Sequence, residues 1–427
     1  MRMSGSIVAT LSRVDTETHH MRYVRWPPGR VGLLLVAVLL AALMLPTASQ
    51  AAEPPVSSSA EMFTCCTPAA LQDRVFEEAA ASGATYVRVD VELHGIFQAN
   101  GKTDWSRLDA MIDRSKRHGV KVLGLIRGTP TSMAGCTICP PRDPKAWGRL
   151  AGQVAAHARG EIDHWEILNE PDASWAFRGS AQDYARMLSA AYDSIKAVAP
   201  EDEVVFGGVE RPRDHAWIEQ VLATPGADAA RKFDIAAVHL RLRLRNTVPE
   251  LAQWLTGWRR LLGGHGFHGP IWVTEHGYPA DPRFQWDPAY RGTNPGTGED
   301  AQAALLDRTI PLLARAGAGQ IFVTLRDNLY GEYLSEGLEH IGTAQAGYPV
   351  QRRRAFAVVR DFAITWDPVV YLRSGAREQL RQARDLTQGA AAANNAGHAL
   401  AAAVQAGAAE GHEEIALDLV KAARAGG

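Results

Sequence analysis

The chain has 427 residues, of which 46% are hydrophobic and 22% are charged, a balance typical of a globular protein with enough apolar material for a large core. Its formal net charge is -2, so the basic bias of a nucleic-acid-binding protein is absent, and we predict no nucleic-acid partner.

The first 51 residues predict a secretory signal peptide. Arginines at positions 22, 25 and 30 precede an apolar run from Val31 to Leu45, and Ser49-Gln-Ala51 supplies small residues for cleavage. The run is short for a spanning helix, so we expect a secreted protein without a stable membrane span after cleavage. The preceding polar segment is long, which makes Met21 a candidate start; an uncleaved signal anchor is the alternative. Residues 52–60 are predicted to be a linker.

All four cysteines follow this segment, at Cys65, Cys66, Cys136 and Cys139. In an exported chain an even number of cysteines favours disulfides, here two bridges with three possible pairings. A zinc site that includes Cys136-Thr-Ile-Cys139 is the alternative. The adjacent Cys65 and Cys66 do not complete a usual ligand spacing, so we predict no metal.

Residues 61–366 alternate short apolar strands with amphipathic helices, a pattern typical of parallel strands joined by helical crossovers. The predicted strands are Met62 to Cys65, Thr85 to Val91, Val120 to Ile126, His164 to Leu168, Val204 to Gly208, Ile235 to His239, Ile271 to Thr274 and Ile321 to Leu325. The predicted helices include Ala69 to Ala81, Trp105 to Arg117, Lys145 to Ala158, Ala181 to Val198 and Ala301 to Ala316. Eight such units favour an α/β fold, a (β/α)8 TIM barrel. A doubly wound sheet is the alternative, but no glycine-rich phosphate motif follows the first strand.

Residues 367–427 are rich in alanine. Periodic segments that begin at Arg377 and Ile415 predict helices, so we expect a helical C-terminal extension without catalytic residues.

Two glutamates end apolar runs in the predicted barrel. Glu170 closes the run 163–170 before Pro171, and Glu275 closes the run 270–275 before a glycine-rich loop. They follow predicted strands four and seven, so both side chains are expected at the barrel's carboxyl end. Two rigidly held carboxyl groups are what glycosidic bond cleavage requires, one to protonate the leaving oxygen and one to attack or to activate water.

The segments Trp165-Glu-Ile-Leu-Asn-Glu-Pro171 and Val273-Thr-Glu-His-Gly277 resemble the acid/base and nucleophile signatures of clan A glycoside hydrolases, most nearly family 39 and cellulase-like family 5. This resemblance implies a retaining glycoside hydrolase that cleaves O-glycosidic bonds of an oligo- or polysaccharide by double displacement. Glu170 would be the acid/base and Glu275 the nucleophile, with carboxyl groups roughly 5 to 5.5 Å apart. No cofactor is needed for this chemistry, and the expected partner is a carbohydrate substrate.

The resemblance also implies three substrate-binding residues. Arg88 matches a strand-two arginine that bonds the nucleophile, Asn169 an asparagine that bonds the sugar 2-hydroxyl, and His239 a strand-six histidine in the sugar site. The structural alternatives are an internal Arg88–Asp90 charge pair, a turn-forming asparagine and a core histidine.

Two departures from the family pattern put the substrate class in doubt. Arg241 stands where the family usually has a tyrosine that bonds the nucleophile, and strand eight reads Phe322-Val-Thr-Leu-Arg-Asp327, without the tryptophan that commonly forms the sugar platform. Arg326 is a candidate substrate contact, with an ion pair at the barrel rim as the alternative. Trp175 and Trp286 are candidate platforms for sugar rings, with simple packing as the alternative. A carbohydrate-binding barrel without catalytic activity is the rival function.

Overall fold

The computed structural model describes residues 54–63, 67–241, 248–281, 298–327 and 335–366, together with scattered residues between 379 and 409. These residues belong to one compact unit, Pro54–Gly427. The predicted signal peptide, Cys65, Cys66 and Trp286 lie outside the described residues.

Eight parallel strands of the described chain form one sheet. They are β1 (Val56–Phe63), β2 (Tyr86–Glu92), β3 (Lys121–Arg127), β4 (His164–Ile167), β5 (Glu203–Phe206), β6 (Ala236–His239), β7 (Ile271–His276) and β8 (Ala318–Thr324). Their hydrogen-bonded order is β5-β4-β3-β2-β1-β8-β7-β6. Parallel bridges Val205–Ile235 and Val209–Val238 join the β5 side to β6, so the sheet closes on itself. The predicted (β/α)8 barrel is confirmed.

Helices alternate with these strands. They are α1 (Ala69–Ala81), the short α2 (Leu93–Ile96), α3 (Ser106–His118), α4 (Pro144–His157), α5 (Ala181–Val198), α6 (His215–Leu222), α7 (Val248–Gly264), α8 (Glu299–Arg315) and α9 (Arg354–Thr365). A hairpin of β9 (Glu339–Ile341) and β10 (Val350–Arg352) precedes α9. Local sequence explains several helix starts. Ser180 and Asp183 form a reciprocal capping box at α5, and Asp143 caps α4, whose first residue is Pro144.

Alternation along β2 determines which side chains face the barrel interior. Val87 and Val89 pack in the main apolar cluster, whereas Tyr86 belongs to a second small cluster with Trp272 and other residues. The Tyr86 and Trp272 rings lie 5.3 Å apart, so aromatic side chains fill the interior at the amino ends of the strands. Arg88 shares the inward face and lies closer to the carboxyl end. Charged groups are therefore concentrated where the strands open.

The prediction of a linker over residues 52–60 was wrong at its carboxyl half, because β1 begins at Val56. The predicted strand from Met62 to Cys65 therefore began too late. Ser57 to Ser59 are buried and pair with β2 and β8, and the Ser57 hydroxyl donates to Gln320 Oε1 at 2.8 Å. A run of serines lacks the apolar pattern of a strand, but the buried Ser57 hydroxyl finds an interior side-chain partner in Gln320.

Few residues of the predicted C-terminal extension are described. Those that are described are helical, and Leu380 is fully buried in the main apolar cluster. Within the part of the chain that the structure describes, no helix combines the length and apolarity that crossing a bilayer requires.

Candidate active site

Glu170 lies three residues beyond the end of β4, in a tight turn. Leu168 and Glu170 have positive φ angles of 63° and 42°, in the left-handed region that side chains other than glycine seldom occupy. The Glu170 amide donates to the Gly208 carbonyl at 2.9 Å, which fixes the turn against the end of β5. Gly207 allows the turn to pack this closely, because a Cβ there would overlap the Ile167 and Leu168 carbonyl oxygens, and Gly208 leaves room for the His239 ring. The unusual backbone is thus held by neighbouring strands, as is common at functional sites.

Glu275 lies on β7 itself and is 5% exposed. Arg88 Nη1 donates to Oε1 at 2.8 Å, and Arg241 Nη2 donates to Oε2 at 2.6 Å. Burial alone would raise the pKa of this carboxyl, but His239, Arg241 and Arg88 favour the anion more strongly, so its pKa lies well below the usual range. Glu275 is therefore a carboxylate at any ordinary pH.

His239 lies between the two glutamates at the end of β6. Its Nδ1 is 2.7 Å from Glu170 Oε1 and 3.3 Å from Glu275 Oε2. One ligand atom from each of the three residues lies within 4.8 Å of the others. The structure thus places Glu170, Glu275 and His239 together at the carboxyl ends of the strands.

The same three atoms have the spacing of a metal site, but the surrounding charge opposes a cation. Both oxygens of Glu275 already accept hydrogen bonds from arginines, at 2.8 Å and 2.6 Å. Two positive guanidinium groups at that distance make a metal cation electrostatically unfavourable there.

Arg88 connects Glu275 to two residues of the β4 segment. It donates from Nε and Nη2 to the two oxygens of Glu166 at 2.6 and 3.1 Å, and from Nη2 to Asn169 Oδ1 at 2.8 Å. Asp90 instead accepts from Arg127 at 2.8 Å. Arg88 therefore contacts Glu275, and it holds the Asn169 side chain beside that contact.

A cavity of about 500 Å³ opens beside Glu170 and His239. Its outer wall is the loop 210–214, and Arg213 stacks 4.5 Å from the Trp254 ring centre. Asp172 joins this loop to the Glu170 turn, because its carboxylate accepts from the Glu210 and Arg211 amides at 2.9 and 2.8 Å. The cavity lies on the Glu170 side of the carboxylate pair.

Other predicted site residues are not brought to the two glutamates by any described contact. Trp175 is 59% exposed and does not line the cavity beside Glu170. Arg326 donates from Nε to the Ala60 carbonyl at 2.8 Å, a contact with the end of β1. Cys136 and Cys139 form a disulfide with each other, within the loop after β3.

Sequence reasoning missed three residues that complete the site. Glu166 was noted only as part of a motif, although its place on β4 beside Arg88 marks it as an interior partner for that arginine. Asp172 was missed although it follows Glu170 closely, and Glu336, which accepts from Arg241 Nη1, lies in a loop without a motif. No local pattern signals Glu336, because its contact spans 95 residues.

Comparisons with known proteins bear on the fold. No family model matches the chain, and no curated protein matches it in sequence. A family 39 glycoside hydrolase from Bacteroides cellulosilyticus WH2 superposes with a TM-score of 0.55 at 16% identity, covering 73% of this chain and 63% of that one. An exo-β-1,4-mannosidase from Opitutaceae bacterium strain TAV5 gives 0.54 at 15% identity, covering 72% and 59%. Fungal β-1,4-galactanases give 0.52 at 15% identity, covering 71% and 98%.

The chain thus spans less than two thirds of the family 39 enzyme and of the mannosidase. At these identities the likeness concerns the fold alone. The predicted resemblance to clan A glycoside hydrolases is therefore confirmed for the fold.

Proposed function

We propose that the protein is a retaining glycoside hydrolase that cleaves O-glycosidic bonds of an oligo- or polysaccharide, with Glu170 as acid/base and Glu275 as nucleophile. The observation that carries this proposal is the pair of buried carboxyl groups that His239 bridges, with oxygens within 4.8 Å. Inverting enzymes separate their carboxyl groups by roughly 6.5–9.5 Å to admit a water, whereas retaining enzymes place them roughly 5–5.5 Å apart. A closest oxygen–oxygen distance of at most 4.8 Å between Glu170 and Glu275 supports the shorter, retaining arrangement.

Electrostatics supports the division of roles. Arg88 and Arg241 each contact Glu275, and its lowered pKa keeps it ionised, as a nucleophile requires. Glu170 contacts neither arginine in the described hydrogen bonds, and its side-chain partner is His239 Nδ1 at 2.7 Å. Without a guanidinium contact, Glu170 is the better placed of the two carboxyl groups to carry the proton that a leaving group takes.

The reaction would proceed in two balanced steps. A Glu275 oxygen forms a bond to the anomeric carbon while the glycosidic C–O bond breaks, and the departing oxygen takes the proton from Glu170. Water then attacks the anomeric carbon, loses a proton to Glu170, and the bond to Glu275 breaks with its electron pair returning to the carboxylate. The enzyme ends in its starting protonation state.

The cavity beside Glu170 suits the leaving group. It lies next to the proposed proton donor and is lined by Trp254 and the loop 210–214, whereas Asn169 lines a separate cavity of about 90 Å³ with Phe177 and His94. An aromatic ring stacked by a guanidinium offers a flat surface to a sugar or aryl group. We propose that the aglycone occupies the larger cavity.

We also propose that the enzyme acts outside the cell. The order of arginines, apolar run and small residues in the first 51 residues supports export. N-terminal sequencing of the protein recovered from the medium of an expressing culture would test this, since retention of Met1 or Met21 contradicts cleavage.

Trapping and leaving-group kinetics test the catalytic roles. A panel of 2-deoxy-2-fluoro glycosides with dinitrophenolate leaving groups, covering both anomers, should yield one that attaches a fluorosugar to Glu275, detected by peptide mass spectrometry. Glu170→Ala should slow hydrolysis of glycosides with poor leaving groups by about 10²–10⁴-fold and of dinitrophenyl glycosides far less.

Three results would contradict the proposal. An adduct on another residue would remove the role of Glu275, and a product of inverted configuration by NMR would exclude double displacement. Saturable polysaccharide binding without any product release would instead favour the non-catalytic carbohydrate-binding barrel.

A further inference from the structure

Five buried side chains form an alternating chain of charges through the site. Its order is Glu166, Arg88, Glu275, Arg241 and Glu336, and each side chain is at most 7% exposed. Consecutive contacts measure 2.6, 2.8 and 2.6 Å, and Arg241 Nη1 also contacts Glu336 Oε2. Each arginine is thus shared between Glu275 and one further carboxylate.

This sharing matters because Glu275 must be both ionised and reactive. Charges in a buried site interact far more strongly than in water. Two arginines without other partners would hold the Glu275 electron pairs so firmly that attack on carbon would be slowed. Glu166 offsets Arg88, and Glu336 offsets Arg241, so the nucleophile receives only part of each positive charge.

The fold holds Glu336 in place from two sides. A Cβ at Gly277 would lie 2.5 Å from Glu336 Oε1, so the glycine two residues after Glu275 leaves the space that this carboxylate fills. The buried Gln302 Nε2 donates to the carbonyls of Tyr278 and Glu336 at 2.9 and 3.0 Å. Glu336 is therefore a buried residue of the site that neighbouring residues hold in position.

We propose that Glu336 is a positioning residue that balances Arg241 and thereby sets the reactivity of Glu275. This inference rests on the proposed retaining mechanism. Without the Glu336 charge, Arg241 binds the Glu275 anion more strongly, so formation of the glycosyl–enzyme bond slows. The same stronger binding makes Glu275 a better leaving group, so hydrolysis of that bond accelerates.

The test compares Glu336→Gln with a matched control, Asp327→Asn. Asp327 accepts from the Gly337 amide at 3.2 Å and pairs with Arg353 at 2.7 Å, so it supports the same loop without contact to Arg241. With the fluorosugar that inactivates the wild type, Glu336→Gln should slow inactivation about tenfold and speed reactivation by a similar factor. Asp327→Asn should change neither rate by more than about twofold.

Opposite changes in the two rates distinguish charge balance from a loosened loop. If Glu336→Gln slows both steps, or if Asp327→Asn reproduces its effects, the positioning role is refuted. Failure of every fluorosugar to label the wild-type protein at Glu275 refutes the proposed mechanism itself, a result visible before any variant is made.

A second measurement does not depend on turnover. Arg241→Met leaves Glu275 and Glu336 without the cation that they share, so it should lower the thermal midpoint. Adding Glu336→Gln should recover at least half of that loss. A double variant that is no more stable than Arg241→Met would show that Glu336 does not balance Arg241, and would overturn the inference.

Discussion

Replacing Arg88 with methionine should destabilise the barrel more than any surface charge substitution. Methionine keeps much of the side-chain volume but removes all four hydrogen bonds that Arg88 donates, to Glu166, Glu275 and Asn169. The effect is expected on folding as well as on activity, because the lost partners are buried.

Most of the cost comes from Glu166. Glu275 keeps Arg241 and His239. Glu166 is fully buried, and among the residues that the structure describes it keeps the Gly208 amide at 2.9 Å and a long contact of 3.4 Å from the Thr274 hydroxyl. Removal of one partner from a buried ion pair costs about 3–5 kcal/mol. We expect the free energy of unfolding to fall by that amount at pH 7.

Urea unfolding followed by tryptophan fluorescence would measure the change in the free energy of unfolding. The control is Arg74→Met, since Arg74 and Glu77 form a pair that is 36% and 54% exposed, and its loss should cost less than about 1 kcal/mol. Adding Glu166→Gln to Arg88→Met should restore more than half of the lost stability. If Arg88→Met is no more destabilising than Arg74→Met, or if Glu166→Gln gives no recovery, the assignment of the cost to an unpaired Glu166 is refuted.

Three other predictions concern pH and the disulfide. Burial lowers the pKa of His276 to about 4, below its unfolded value of 6.5, so stability should fall by about 2 kcal/mol from pH 7 to pH 5, and less in His276→Gln, by urea unfolding. Burial and the nearby Glu78 raise the pKa of Glu339 from 4.5 to about 9, so ionisation of Glu339 lowers the stability of the folded protein progressively as pH rises from 4.5 to about 9. Glu339→Gln should therefore have a higher thermal midpoint than the wild type at pH 8 and the same midpoint near pH 4. Serine at both Cys136 and Cys139 should cost only about 2 kcal/mol, because the bridge has a sequence separation of 3, and unreduced peptide mapping that finds both thiols free would contradict the bridge.

The sequence predicted most strands because the barrel buries them on both faces. Trp165, Glu166 and Ile167 of β4 are buried, and β7 is buried throughout. The first strand was placed too late because Ser57 to Ser59 are buried without being apolar, and the Ser57 hydroxyl bonds Gln320 inside the barrel. A hydrophobicity pattern cannot detect a buried strand whose residues are serines.

The candidate site was predictable where residues follow strands and not where they lie in later loops. Glu170 and Glu275 were placed together because strand ends meet at one side of the barrel. The sequence showed that Arg241 departs from the family pattern. It did not show that Arg241 contacts Glu336. Long-range charge pairing leaves no periodic signal in a single chain, so only the folded geometry reveals it.

For the proposed hydrolase, the two hydrogen bonds between Asp172 and the loop 210–214 limit how the substrate range can change. The same short segment carries Glu170 and anchors the wall of the adjoining cavity through the Glu210 and Arg211 amides. An insertion or deletion in the loop 210–214 would therefore also shift the Glu170 carboxyl group. Altered selectivity is accessible through side chains such as Trp254, which stands on the separate helix α7, without disturbing the turn that bears Glu170.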